Sequence, residues 1–160
     1  MIDGERQRAL MAAAIAEAQR GGHDGEVPVG AVVVHDEEDG AIIAAAHNQP
    51  IALKDPTAHA EILAIRQAAA ALGSYRLDGV ALFVTLEPCV MCVGAIIQAR
   101  IGALYFGARD EKAGALGSIY DIGRDGRLNH RIEVYPGLME PECSALLREF
   151  FRSRRSPHSW

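Results

Sequence analysis

Thr57-Ala58-His59-Ala60-Glu61 and Glu87-Pro88-Cys89-Val90-Met91-Cys92 are the two runs whose reading decides how the rest of this chain must fold. The first carries an imidazole and a carboxylate two positions apart. The second carries two thiols at i and i+3, directly after a proline. One imidazole and two thiols are three borderline or soft donors, the number a catalytic zinc takes when its fourth position is left to water. A structural zinc wants a fourth protein ligand, and none lies nearby in sequence. Glu61 is then spare, and a carboxylate beside a zinc-bound water serves as general acid and base.

The segment between the runs has the length needed to bring them together. Thr57 suits an N-cap, and Ala58 to Leu72 reads as a helix ended by Gly73. At 1.5 Å per residue the stretch from His59 to Leu72 rises about 21 Å. Val80 to Leu86 reads as a strand, and at 3.3 Å per residue it returns about 23 Å. Pro88 suits the first position of a second helix, Cys89 to Arg100, which puts Cys89 and Cys92 on one face of its first turn. Both half-sites then sit at helix N-termini, where the dipole favours thiolate and metal-bound hydroxide. Taken alone, Cys-x-x-Cys also fits a redox pair or a zinc knuckle, and a single His fits a core residue. The joint pattern, with a helix and a strand of matched length between, selects the metal site.

At 160 residues the chain is expected to form a single domain (1–160) with a real core. Half its residues are apolar and about a quarter charged, which is a globular composition and not a disordered one. Of three cysteines two belong to the metal site, and Cys143 is expected to pack as a small apolar residue in a C-terminal helix. No disulfide framework is implied. The N-terminus has neither a basic n-region nor an apolar h-region, and no apolar run approaches the ~18 residues of a membrane span. The expectation is a soluble, cytoplasmic protein with no membrane association. A net charge of −5 argues against indiscriminate nucleic-acid binding. Arg148, Arg152, Arg154 and Arg155 nevertheless crowd the C-terminus beside Phe150 and Phe151, a basic and aromatic patch of the kind that grips RNA, or a solvated helix end.

In chain order, Glu5–Arg20 reads as a helix ended by Gly21-Gly22. Val29–His35 and Ala41–Ala46 read as a hairpin across the turn Asp36–Gly40. Both runs are almost continuously apolar, so the sheet is expected to be covered on both faces. Asn48–Pro56 reads as a loop. Val80–Leu86, Cys89–Arg100 and Ile101–Gly107 form a βαβ unit with parallel strands. Ala108–His130 is a long glycine-rich connection of the kind that is usually functional. Arg131–Tyr135 is a last strand. Glu140 and Pro141 start a final helix, whose span 140–155 ends in the basic and aromatic cluster. These elements give a five-stranded mixed sheet between helices, three layers deep (α/β/α).

His-x-Glu followed by Pro-Cys-x-x-Cys is the pattern of the zinc-dependent base and nucleoside deaminases. Asp55–Glu61, Tyr75-Arg-Leu, Val84–Cys92, Arg100-Ile-Gly, Phe106–Asp110, Asn129-His-Arg131 and Phe150-Phe-Arg152 together resemble the bacterial tRNA-specific adenosine deaminases, from about Glu26 to Arg155. The resemblance implies the cytidine-deaminase-like strand order 2-1-3-4-5, with the last strand parallel to its neighbour. It implies one zinc per chain on His59, Cys89 and Cys92. The reaction is then hydrolytic deamination of adenosine to inosine at the wobble position of tRNA anticodons, with Glu61 moving the protons. Ala60 lends a backbone contact, Asn48 hydrogen-bonds the nucleoside and Val29 walls the base pocket. Asp110 contacts RNA near the flipped base, and Phe151 and Arg152 hold the anticodon stem-loop.

A homodimer is implied as well, and the apolar helix Val90–Ala99 is the expected contributor, because Val90, Met91, Val93 and Ile96 exceed what one helix face buries. The chain departs from the family pattern at His47 and Gln49, where an aromatic and an arginine usually flank the asparagine. It also departs in the loop Ile51–Asp55 and in the longer, acidic turn Asp36–Gly40. Two rivals share the zinc site: a deaminase of a free base or nucleoside such as cytosine, guanine or adenosine, and a structural zinc module that binds RNA. The C-terminal Phe-Phe-Arg helix speaks against the first. The missing fourth ligand and the unused Glu61 speak against the second.

Overall fold

Successive side chains of a strand point to opposite faces, so a strand can be apolar throughout only where both faces are covered. The computed structural model, which describes residues 2–37 and 39–154, meets that condition with five strands between two layers of helices. The elements are α1 (Gly4–His23), β1 (Gly30–His35), β2 (Ile42–His47), α2 (Pro50–Leu53), α3 (Ala60–Leu72), β3 (Val80–Leu86), α4 (Val90–Gln98), β4 (Ala103–Ala108), β5 (Glu133–Pro136) and α5 (Glu140–Arg154). The strand order is β2-β1-β3-β4-β5. β1 runs antiparallel to β2 and β3, and β3–β4 and β4–β5 are parallel. Order and directions are those the resemblance implies.

Alternation along the strands splits the core in two. Ala31, Val33, Leu82, Val84, Leu104 and Phe106 face α3 and α4. Val32, Val34, Ala81, Phe83 and Tyr105 face α1, whose Leu10, Met11 and Ala14 are fully buried. Phe83, Tyr105 and Tyr135 stack across three strands on that second face, with centroids 4.4 and 4.6 Å apart. Cys143 is 1 % exposed and packs there too, and burial pushes its thiol up to about 12. Gly30 lets α1 approach β1, since a Cβ there would fall on the backbone of Ala14 and Ala18.

Four local expectations are corrected. α1 continues through Gly21-Gly22 to His23, because the glycines serve packing: Gly21 is buried, and a Cβ on it would meet the His47 ring at 3.0 Å. The segment after Asn48 contains the short helix α2. Both oxygens of Glu26, 2 % exposed, accept the amides of Ile51 and Ala52 that open it (3.1 and 2.9 Å). Thr57 does not cap α3, because its amide and hydroxyl both donate to Asp55 Oδ1 (2.9 and 2.7 Å). Pro88 lies ahead of α4, whose N-cap is Cys89. α5 carries the expected C-terminal cluster as far as Arg154, and Arg155 lies outside the described residues.

Candidate active site and metal centre

α3 and α4 each begin at a metal-ligand candidate: His59 is the N-cap of α3 and Cys89 the N-cap of α4. Both helices start at the same end of the sheet, because α3 follows β2 and α4 follows β3, and these two strands run in the same direction, each antiparallel to β1. His59 Nδ1 lies 3.7 Å from Cys89 Sγ and 3.5 Å from Cys92 Sγ. The three donor atoms fall within 4.8 Å of one another. Bonds of about 2.3 Å to sulfur and 2.0–2.1 Å to nitrogen, at a tetrahedral angle, place nitrogen and sulfur about 3.6 Å apart. The spacing therefore fits zinc, and so does the donor chemistry. No other such group of three His, Cys, Asp or Glu side chains occurs among the described residues.

Hydrogen bonds from Cys92 and His59 hold the Cys89 thiol far down, at about 3, as in a thiolate. The bond to Cys89 and burial push Cys92 the other way, and the bond to Cys89 raises His59. Glu61 sits in the first turn of α3 and is 4 % exposed. Burial raises its carboxyl above the ordinary carboxylate range, although its own backbone amide and the His59 charge pull it back. A buried carboxyl raised in this way holds a proton more readily than an exposed one, the direction a proton carrier needs.

Asn48 does what Thr57 was expected to do. Its Oδ1 accepts the Ala60 amide at 2.7 Å and so completes the start of α3, while its backbone N–H donates to the Val29 carbonyl at 3.1 Å. Val29 is 4 % exposed. Val29, Asn48 and Ala60 thus form one connected strip leading to His59 and Glu61. The departure at His47 is also accounted for: its Nδ1 pairs with Glu17 Oε2 at 2.9 Å, bracing the end of β2 against α1.

Asp110 and Phe151 meet elsewhere, on a cleft of about 980 Å³ that Arg109, Lys112, Glu140 and Leu147 also line. None of His59, Glu61, Cys89 and Cys92 lines this cleft; its link to the ligand turn is Ala113 on its wall, whose neighbour Gly114 bridges to Cys89. Arg152 is exposed on α5. Arg154 is turned back, its guanidinium over the Phe150 ring and its Nη2 donating to the Gly25 carbonyl at 2.8 Å. Of the four apolar residues named on α4, Val93 and Ile96 are fully buried, because α4 packs into the chain's own core with Leu116 and Ile132. Val90 remains 49 % exposed. No helix among the described residues is long and apolar enough to cross a membrane.

Residues 4–108 match the cytidine and deoxycytidylate deaminase zinc-binding region. The chain is 46% identical over 145 residues to the tRNA-specific adenosine deaminase of Bacillus subtilis (strain 168), covering 91% of this chain and 88% of that one. It belongs to the tRNA-specific adenosine deaminase family. A solved structure from work on A-to-I editing by tRNA:A34 deaminases is 47% identical, with a TM-score of 0.82, over 87% of this deaminase and 99% of that chain. A guanine deaminase from Nitrosomonas europaea is more distant, at 30% identity and a TM-score of 0.75 over 89% of this deaminase and 83% of that chain.

One residue of this deaminase has a role that its local sequence does not signal. Glu87, the first residue of the second run, is 2 % exposed and accepts four hydrogen bonds from the segment 110–118. Nothing in the local sequence distinguishes it from a surface glutamate, because its partners lie more than twenty positions away.

Proposed function

We propose that this protein removes the exocyclic amine of adenosine by hydrolysis, giving inosine, at the wobble position of tRNA anticodons. The observation that carries the chemistry is the buried Glu61 beside the clustered His59, Cys89 and Cys92. These three hold zinc, one per chain. When bound, zinc is a Lewis acid that makes water acidic enough to ionise near neutral pH. Glu61 carries the protons: one from the attacking water to the ring nitrogen beside C6, and one to the departing amine, which leaves as ammonia. Water adds its oxygen to C6 and the C6–N bond breaks, so adenosine and water become inosine and ammonia.

Asn48 holds the Ala60 amide through its oxygen, which leaves its NH₂ group for the nucleoside. Ala60 acts through that fixed backbone, and Val29 forms the floor of the same strip. Asp110, Phe151 and Arg152 contact the anticodon stem-loop. The cleft lined by Asp110 and Phe151 supports this reading, since a free base or nucleoside leaves such a surface unused, whereas a flipped-out base needs its flanking nucleotides held. The protein works in the cytoplasm as a homodimer, and residues 1–160 act as one deaminase domain whose 140–155 helix ends in the RNA contacts. Support for the dimer comes from family membership and from Val90.

The test is to mix the protein with a synthetic anticodon stem-loop carrying wobble adenosine and to measure inosine. Turnover of the stem-loop is expected to exceed that of free adenosine, cytosine or guanine. Faster turnover of any of those three overturns the tRNA reading in favour of a small-molecule deaminase.

A further inference from the structure

We propose that Glu87 is a positioning residue that ties the metal-ligand turn to the RNA-facing wall of the cleft, so that Asp110 is held in register with Cys89. The inference rests on the function proposed above.

Glu87 stands two residues before Cys89 at the end of β3, and its amide donates to Ala108 at the end of β4 (2.8 Å). Its carboxylate points into the segment that follows β4. Oε1 accepts the Asp110 amide (3.1 Å) and the Ser118 hydroxyl (2.5 Å), and Oε2 accepts the amides of Leu116 (3.0 Å) and Ser118 (3.1 Å). One buried side chain therefore gathers both ends of a nine-residue segment, Asp110 to Ser118. The same segment is laced to the ligand turn by its backbone: Ala115 donates to the Pro88 carbonyl at 2.9 Å, and Gly114 bridges Cys89. A side chain at Gly114 would collide with the Glu87 carboxyl and with the Asp110 carbonyl.

Within the segment, Asp110 accepts the Gly114 amide through its carbonyl and the amides of Lys112 and Ala113 through Oδ1. The turn from Asp110 to Ala113 lines the cleft on the side of Arg109 and Lys112, and Phe151 and Leu147 of α5 line it as well. Displacing the Asp110 amide from Glu87 thus moves a cleft wall without touching His59, Glu61 or Cys92. Only a carboxylate fits here. All three backbone partners are donors, so the NH₂ group of a glutamine faces at least one N–H in either orientation.

The test uses the zinc-loaded full-length protein and single-turnover inosine formation on the stem-loop, measured over a range of enzyme concentrations. The wild-type rate judges the proposed function, and the ratio of variant to wild type judges Glu87. Glu87→Gln is expected to keep one zinc per chain and a maximal rate within about twofold of wild type, while the half-saturating concentration rises about tenfold, or ~1.4 kcal/mol. In an Asp110→Ala background the same change is expected to cost less than about threefold, because the two residues act as one unit. Ser118→Ala removes only the hydroxyl donor and so tests the same coupling under milder conditions, with a smaller rise that also vanishes beside Asp110→Ala. Additive costs overturn the proposal. So does a Glu87→Gln or Ser118→Ala protein that binds the stem-loop like wild type, or one that loses zinc and maximal rate together.

Discussion

Glu61 and Glu87 are the same residue type, buried to 4 % and 2 % exposure, and their acidities move in opposite directions. Burial alone disfavours a carboxylate, and at Glu61 it prevails. At Glu87 burial acts the same way, but the Ser118 hydroxyl and the amides of Asp110, Ser118 and Leu116 outweigh it and leave the group below its ordinary value. A buried carboxylate with few donors is suited to exchange protons. One with four donors is a fixed anion that organises backbone. Depth does not separate the two roles; the number of N–H and O–H groups aimed at the oxygens does.

The contrast breaks most completely when the neighbours that give Glu61 its purpose are removed. His59→Ala and Cys92→Ser are each expected to drop zinc from about one per chain to near zero, with loss of detectable inosine formation, since three protein ligands are the minimum for such a site. Elemental analysis alongside the stem-loop assay checks this, and full zinc in either variant contradicts the ligand assignment. Glu61→Gln is the direct probe of the proton carrier. It should retain zinc and fold yet lose about 10²–10⁴-fold in turnover, the usual share of a general acid–base group. A Glu61→Gln protein with wild-type single-turnover rate removes Glu61 from the mechanism.

A smaller effect belongs to the cleft that the Glu87 segment borders. Phe151 is 43 % exposed and available for stacking. Phe151→Ala is expected to weaken stem-loop binding by about 1–3 kcal/mol while leaving zinc content unchanged. Arg152→Ala should reduce the slope of log K against log salt by about one. Titrations at two salt concentrations measure both.

The smallest effect sharpens the rule at the surface. Asp55 resembles Glu87 in miniature, since the hydroxyl and amide of Thr57 hold its carboxyl below the ordinary 3.8. A lowered folded-state pKa means that the stabilisation is present above 3.8 and is lost as pH falls through the folded value. Asp55→Asn should therefore melt slightly lower than wild type at pH 7, and the gap should narrow as the pH falls below 3.8. A gap that is constant with pH refutes the ionic origin.

The layers, the grouping of His59, Cys89 and Cys92 and the placing of Glu61 beside them were all legible in the chain before folding. These rest on short-range regularities: alternation and continuity of apolar residues, helix and strand rises, and donors spaced at i and i+3. His59, Glu61, Cys89 and Cys92 stand together because a helix of one length and a strand of another cancel, which is arithmetic on the chain. What holds the walls of the site emerges only from three-dimensional packing. Asn48 replaces Thr57 as the group that closes the start of α3, Glu26 winds α2 out of a loop, His47 leans on Glu17 over a bare Gly21, and Glu87 gathers residues 110–118. Packing also divided the apolar residues of α4, with Val93 and Ile96 in the chain's own core and Val90 left exposed. The reason is physical. A buried polar group must find a partner, and the partner can lie anywhere along the chain that folding brings within hydrogen-bond reach, so its identity is written in three dimensions and not in local spacing.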